Sequence, residues 1–341
     1  MRFFYILFIR RLKQLQLSQP ESNKDNGPKI VAIGGGTGLS ILLKGLKAWT
    51  HNITAIVTIA DDGGSSGILR SELGMPPPGD ARNCLVALSE VDSVVEDLFQ
   101  YQFGYSTSLD GHRLGNLVLA ALYELLGGFP EAIQAVSRLL KIRGRVIPIS
   151  SSSDLVLRGK TADGQILYGE SAVGSYPGSL SRVWIEPENA EVNKEALEAV
   201  EKADLIVIGP GSLYTSVLPN FMFPAMRNVV AVSNSPKLFV CNVATEHVET
   251  SGFTMENHLN IFQQLSGINV THILANSNCV ELPLEFNQGC VYPTPTIKGF
   301  TGDILLRDVV DESLRTRHDP HKLASEIIGM SLYGRLNNKT I

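Results

Sequence analysis

From Lys29 onward one unit keeps returning: a short apolar run, a glycine turn, and a stretch with helical spacing that leads into the next apolar run. It first reads "KIVAI", "GGGTG", "LSILLKGLKAW" and "ITAIVTIA". Such alternation marks a parallel α/β sheet, because parallel neighbours need a crossover between them and a helix supplies it. The unit returns as helix "NKEALEAVEKA", strand "DLIVIG", turn "PGSLYTS", strand "KLFVCNV", helix "MENHLNIFQQL" and strand "THILAN". Between the two occurrences, about residues 80–142 carry apolar positions three and four apart and read as a helical segment.

The texture then changes. "GRVIPIS", "SDLVLRGK", "QILYGES" and "SRVWIEP" are short runs, the middle pair joined by the turn sequence "TADG", and they read as an antiparallel insert over about 145–187. A last helix follows, capped by Asp319 with Pro320 at its first position. The expected architecture is α/β: a Rossmann-like, doubly wound, mostly parallel sheet in one domain over 29–335, with 336–341 as a tail.

Residues 1–28 are expected to lie outside that domain as a disordered or weakly helical extension, because "SQPESNKDNGPK" is a polar linker. The apolar run Phe3 to Ile9 is too short to span a bilayer, and Arg10 and Arg11 follow it instead of preceding it, unlike a secretory signal. A weak membrane contact through Phe3–Ile9 and a plain disordered tail are both compatible with it.

The 341 residues are 44% hydrophobic and 18% charged, with a formal charge of -5. That balance argues against a nucleic-acid partner, which calls for a basic surface. Cys84, Cys241, Cys279 and Cys290 lack CxxC spacing, so neither a zinc site nor a disulfide framework is expected, and a cytoplasmic location fits best.

Chemistry concentrates at the turns. Gly34, Gly35, Gly36, Thr37 and Gly38 follow a strand and open a helix, which aims backbone N–H groups at an incoming anion. The alternative is a tight turn that needs glycine and nothing more. Gly209–Ser216 repeats the arrangement around Gly211, with Ser212, Thr215 and Ser216 as hydroxyl donors and Tyr214 placed to stack on a base or bond a sugar, the alternative being a Pro-Gly loop that simply leaves the sheet. Two such turns at strand ends point to one shared crevice. In "ADDGGSSG", Asp61 and Asp62 suit ligand hydroxyls, a Mg²⁺ carrying a diphosphate, or a helix cap, and Ser65 and Ser66 add donors. Adjacency favours divided labour, with Asp62 as the ligand and metal contact. Asp80 is expected to cap the helix that carries Arg82 and Asn83. Arg82 suits a phosphate, or an ion pair with Asp80 or Glu90. His112, Arg113 and Asn116 open another helix, where Gly115 leaves room for a close approach.

Read together, "IGGGTG", "ADDGGSSGILRSELGMPPPGDARNCLVALS", "GHRLGNL", "GPGSLYTSVLPN" and "CNVATEHVETSGFT" resemble the gluconeogenesis factors of YvcK type, relatives of the 2-phospho-L-lactate transferases (CofD-like), over about residues 29–333. The resemblance implies a Rossmann-like core that binds UDP-sugars and acts in cell morphology and envelope synthesis under gluconeogenic growth. It also implies Thr37, Asp61, Asp62, Asn83, Ser212, Tyr214 and Arg317 as ligand contacts. The region 276–301 departs most, with Phe286 where the family pattern leads to a tyrosine. The resulting expectation is a regulatory protein whose partners are a UDP-sugar, or another nucleotide diphosphate, and an envelope-synthesis protein. No cofactor is expected to be required, and Mg²⁺ accompanying a nucleotide diphosphate is compatible with the reading. The alternative is a phospholactyl transferase acting on a nucleotide diphosphate with Mg²⁺. A dimer is the expected assembly, although no residue pattern encodes it.

Overall fold

A computed structural model describes residues 25–104, 108–279, 282 and 287–337. Phe3–Ile9, Phe286 and the end of the C-terminal tail lie outside the described residues. The strands are β1 (Ile30–Gly34), β2 (Ile53–Val57), β3 (Arg145–Pro148), β4 (Val156–Thr161), β5 (Ile166–Tyr168), β6 (Leu180–Glu186), β7 (Leu205–Ile208), β8 (Lys237–Val240), β9 (His272–Asn276) and β10 (Asp303–Arg307). The helices are α1 (Gly36–Leu46), α2 (Gly64–Leu73), α3 (Gly79–Ala87), α4 (Ser93–Gln100), α5 (Leu114–Leu126), α6 (Phe129–Leu139), α7 (Glu170–Gly174), α8 (Lys194–Glu201), α9 (Pro224–Val232), α10 (Met255–Ser266) and α11 (Pro320–Asn337).

Seven strands form a parallel sheet in the order β10-β9-β8-β7-β1-β2-β3. Every residue of β1 and of β7 is buried, as expected for central strands covered by helices on both faces. The chain winds outward from β1 through β2 to β3, then returns to β7 beside β1 and winds the other way. The switch point of this doubly wound sheet therefore lies between β1 and β7.

β3 corrects the sequence reading. "GRVIPIS" was grouped with the antiparallel insert, yet β3 pairs parallel with β2 and forms an edge of the main sheet. Its short apolar run carries no mark of direction, which pairing alone decides. The insert proper is the three-stranded sheet β5-β4-β6. β10 ("DILLR"), a strand the sequence reading did not place, adds a parallel edge beside β9.

Residues 25–28, assigned by sequence to the extension, are tied to the β1–β2 connection. Asp25 meets His51 Nδ1 at 2.8 Å, the Asn52 amide donates to the Asp25 carbonyl at 2.7 Å, and the Thr50 hydroxyl donates to the Pro28 carbonyl at 3.1 Å. A second correction concerns cysteine. Cys279 and Cys290 form a disulfide with Cα atoms 5.6 Å apart, while Cys84 and Cys241 are free and buried. Their spacing of eleven residues resembles no framework motif, so only the approach of the β9 end to the Cys290 segment reveals the pair. Among the described residues, no helix is long and apolar enough to cross a membrane.

Candidate functional site

The two glycine turns meet at the switch point. Gly36 adopts φ +63°, a left-handed conformation that favours glycine. A Cβ on Gly38 would stand 2.6 Å from the Pro210 carbonyl oxygen and 2.9 Å from the Gly211 nitrogen, so the first turn of α1 lies directly on the β7 turn. Asn242, just past β8, brackets Gly211: its Oδ1 accepts the Gly211 N–H at 3.1 Å and its Nδ2 donates to the Gly211 carbonyl at 3.0 Å.

Each turn has a carboxylate of the chain itself against its N–H groups. Asp80 accepts the Gly36 N–H, and its oxygen sits where a Cβ on Gly35 would be. The sequence made Asp80 a helix cap, but the cap position of α3 is Pro78 and Asp80 lies inside the first turn. Burial, then the Asp61 charge, push its carboxyl up to about 7 against the Gly36 hydrogen bond and Arg82. At the second turn, Glu249 Oε1 accepts the Tyr214 and Thr215 N–H groups at 2.8 and 3.2 Å. Burial pushes Glu249 up to about 8 despite those bonds. Nothing local in the sequence singles out Glu249, because its partners lie 34 and 35 residues away.

Tyr214 is a further correction. Its side chain is 1% exposed, and its hydroxyl accepts the Leu180 N–H of β6 at 3.4 Å, so the ring packs in the core instead of facing a base. Ser212 and Ser216 are half-buried and Thr37 is exposed at the junction. Arg317 is exposed farther along the sheet beside Glu246, where its charge works against the burial that raises that carboxyl.

The two aspartates stand apart, and Asp62, which the sequence reading favoured as the ligand contact, is the one held in structure. Both Asp62 oxygens are engaged by α7: Oδ2 accepts the Glu170 N–H at 2.8 Å, and Oδ1 accepts the Ser171 N–H at 3.0 Å and its hydroxyl at 2.6 Å. Asp62 thus caps the first turn of the insert helix, where a negative charge also complements the N–H dipoles. A carboxylate so occupied does not fit the Mg²⁺ ligand assigned to it, and among the described residues no group of three or more His, Cys, Asp or Glu side chains is arranged to hold a metal ion. Asp61 instead uses Oδ1 for the Gly63 N–H at 3.0 Å and lines a pocket. Glu170 lies beside it, hydrogen-bonded to Thr215. Burial, then Asp61, raise its carboxyl to about 7.

That pocket has a volume of about 340 Å³ and gathers Asp61, Ser65, Ser66, Arg82, Asn83 and Asn116, all expected at the site, together with Asp80, Gln102 and Arg113. Arg82 is 5% exposed. Its Nη1 donates to Asn116 Oδ1 at 2.7 Å and its Nη2 to Asn83 Oδ1 at 2.8 Å, while its buried Nε has no acceptor. The ion pair that the sequence allowed with Glu90 is absent, because Glu90 pairs with Arg143. Gly115 admits the Arg82 stem: a Cβ there would stand 2.8 Å from Arg82 Cδ. Asn116 continues the network by donating to the Ser65 hydroxyl at 3.0 Å, and that hydroxyl also meets His112 Nδ1 at 3.1 Å. Burial, then Arg113, lower the Arg82 guanidinium to about 10, which leaves it charged at neutral pH.

Apart from Asp62 and Tyr214, the expected residues therefore fall into three groups: the Asp61–Arg82 pocket beyond β2, the glycine junction between β1 and β7 (Gly35, Gly36, Thr37, Gly38, Gly211, Ser212, Ser216), and Arg317 beside Glu246 past β8. The sheet order and the winding from β1 define a doubly wound α/β protein, with these polar groups gathered at the carboxyl ends of its strands. Residues 30–287 match the family described as 2-phospho-L-lactate transferase CofD, and the chain belongs to that family.

Named relatives narrow the resemblance. The gluconeogenesis factor of Bacillus subtilis is 42% identical over 311 residues, which cover 89% of this chain and 98% of that protein. The gluconeogenesis factor of Listeria monocytogenes is 40% identical over 318 residues, or 93% of this chain and 98% of its own length. The crystal structure of a UPF0052 family member from Bacillus halodurans superposes with a TM-score of 0.84 at 42% identity, covering 89% of this chain and 98% of that one.

Proposed function

We propose that the protein binds a nucleotide sugar of the UDP type at the carboxyl ends of the strands and acts as a regulatory gluconeogenesis factor linked to cell shape and envelope synthesis. The supporting observation is the glycine junction. Two turns pack against each other at the switch point and carry the exposed Thr37 and the half-buried Ser212 and Ser216, with the exposed Arg317 beside Glu246 past β8. Open α/β sheets bind nucleotides at this place. The relatives named gluconeogenesis factor support the gluconeogenic part of the reading.

Calorimetry of the full chain with UDP-N-acetylglucosamine and UDP-glucose tests it. Saturable heat and a matching rise in Tm are expected. The absence of both at millimolar ligand rules the reading out. Incubation with a guanosine diphosphate donor and a deazaflavin acceptor tests the alternative, since turnover would make the protein a transferase.

A further inference from the structure

The pocket beyond β2 has features that the nucleotide reading leaves unused. A guanidinium that is 95% removed from solvent normally faces a carboxylate, because an uncompensated buried charge is costly. Asp80 and Asp61 act on Arg82 through their charge, but no carboxylate is hydrogen-bonded to it: its acceptors are two side-chain amide oxygens, with none at Nε. Arg113 adds a second cation to the lining, its Nη1 held by the Gln100 carbonyl at 2.9 Å. The framework is prearranged: Asn116 and Asn83 fix the plane of the Arg82 fork, and Gly115 seats its stem. A planar guanidinium held in this way suits the paired oxygens of a phosphate.

Asp61 on the same lining argues against a bare anion and for a ligand that also carries hydroxyls, which a carboxylate accepts. The volume points the same way. About 340 Å³ is near the lower end of the roughly 300–1,000 Å³ range of small-molecule sites. That suits a phosphorylated monosaccharide or a similar polyol, whereas an entire nucleotide sugar needs more room.

We propose that this pocket is a seat for a phosphate ester of a polyhydroxy compound, with Arg82 and Arg113 on the phosphate and Asp61 on the hydroxyls. The seat adjoins the glycine junction through Asp80, which accepts the Gly36 N–H and lines the pocket, and it stands whether or not a nucleotide sugar binds at the junction. Two sources offer this chemistry: a free sugar phosphate, or the phosphate-linked sugar end of a longer ligand that reaches across from the junction.

The test is calorimetry and phosphorus NMR on the full chain with glucose 1-phosphate, inorganic phosphate, glucose and UDP-glucose. Glucose 1-phosphate is expected to bind, inorganic phosphate at least tenfold more weakly, and glucose not measurably. Arg82→Gln should weaken glucose 1-phosphate at least tenfold, with Arg82→Lys between it and the parent chain. Arg113 is half-buried, so Arg113→Gln keeps the test decisive should Arg82→Gln misfold by circular dichroism, and a several-fold loss is expected from it. Competition between UDP-glucose and glucose 1-phosphate assigns the seat to the longer ligand, and simultaneous binding assigns it to a separate one. Either result supports the phosphate-ester seat. No binding of glucose 1-phosphate at millimolar concentration overturns it, as does an unchanged affinity in Arg113→Gln together with a folded Arg82→Gln.

Discussion

The Asp62 carboxylate holds Ser171 twice, accepting its backbone N–H at 3.0 Å and its hydroxyl at 2.6 Å across 109 residues of chain. With the Glu170 N–H also bound, this one side chain fixes the insert to the acidic loop. Arg70 makes a second tie from α2, donating to the carbonyls of Ser153 and Leu155.

Substitution of the two aspartates should therefore separate stability from binding. Asp62→Ala removes acceptors from two backbone N–H groups and a hydroxyl and should cost about 1–3 kcal/mol, read by urea unfolding. Asp61→Asn should leave the unfolding midpoint nearly unchanged while weakening pocket ligands. Equal effects of both changes on both readouts would refute the division of roles.

Glu249 gives stability a pH dependence. Its folded carboxyl is raised to about 8, far above an ordinary glutamate, so the proton it retains favours the folded state at low pH. That contribution is fully present below the ordinary glutamate range and is lost as pH rises through about 8. Glu249→Gln keeps an oxygen for the Tyr214 and Thr215 N–H groups and removes the ionisation. The variant should match the parent chain near pH 5 and exceed it by a few kcal/mol, on the order of one to three, near pH 8.5. His318, lowered to about 4 by burial, works in the opposite direction below its ordinary range, so the comparison of variants is the decisive measurement, not the parent curve.

Gly38→Ala places a methyl group against the Pro210 carbonyl, whose oxygen stands 2.6 Å from the new Cβ, with backbone on both sides of the contact. Neither chain can yield cheaply. A loss of about 2 kcal/mol or more is expected in thermal or urea unfolding. A loss below 0.5 kcal/mol would mean that the turns slide apart at little cost.

The disulfide predicts a labelling pattern. Alkylation of the denatured, unreduced chain should modify Cys84 and Cys241 alone, and prior reduction should add Cys279 and Cys290, resolved by mass spectrometry of peptides. Four modified cysteines without reductant would contradict the bridge.

The parallel sheet was legible because apolar runs, glycine turns and helical spacing are local patterns, and β1, α1 and β2 fall where those patterns end. The Asp319 cap was legible for the same reason, its carboxylate accepting the His321 and Lys322 N–H groups at 2.8 Å. What escaped depends on distant segments. β3 reveals its direction only against β2, and Tyr214 becomes a core residue only because β6 brings the Leu180 N–H to its hydroxyl. The pocket residues Asp61, Ser65, Ser66, Arg82, Asn83 and Asn116 were legible by type, since glycine-rich loops and helix starts collect polar groups. Which carboxylate faced inward was not, because α7 arrives about a hundred residues later to engage Asp62. Nor could the sequence show that Asp80 and Glu249 already stand at the N–H groups offered to a phosphate.

The Asp62 staple also supplies an optical gauge. The chain has two tryptophans, and Trp184 lies half-buried on β6, in the small sheet held to the pocket loop, with the Arg182 guanidinium 4.8 Å from its ring centre. Any occupant that shifts the Asp61–Gly64 loop must carry the insert with it or stretch those hydrogen bonds. Emission from Trp184, isolated by Trp49→Phe, then tracks filling of the cavity without a label.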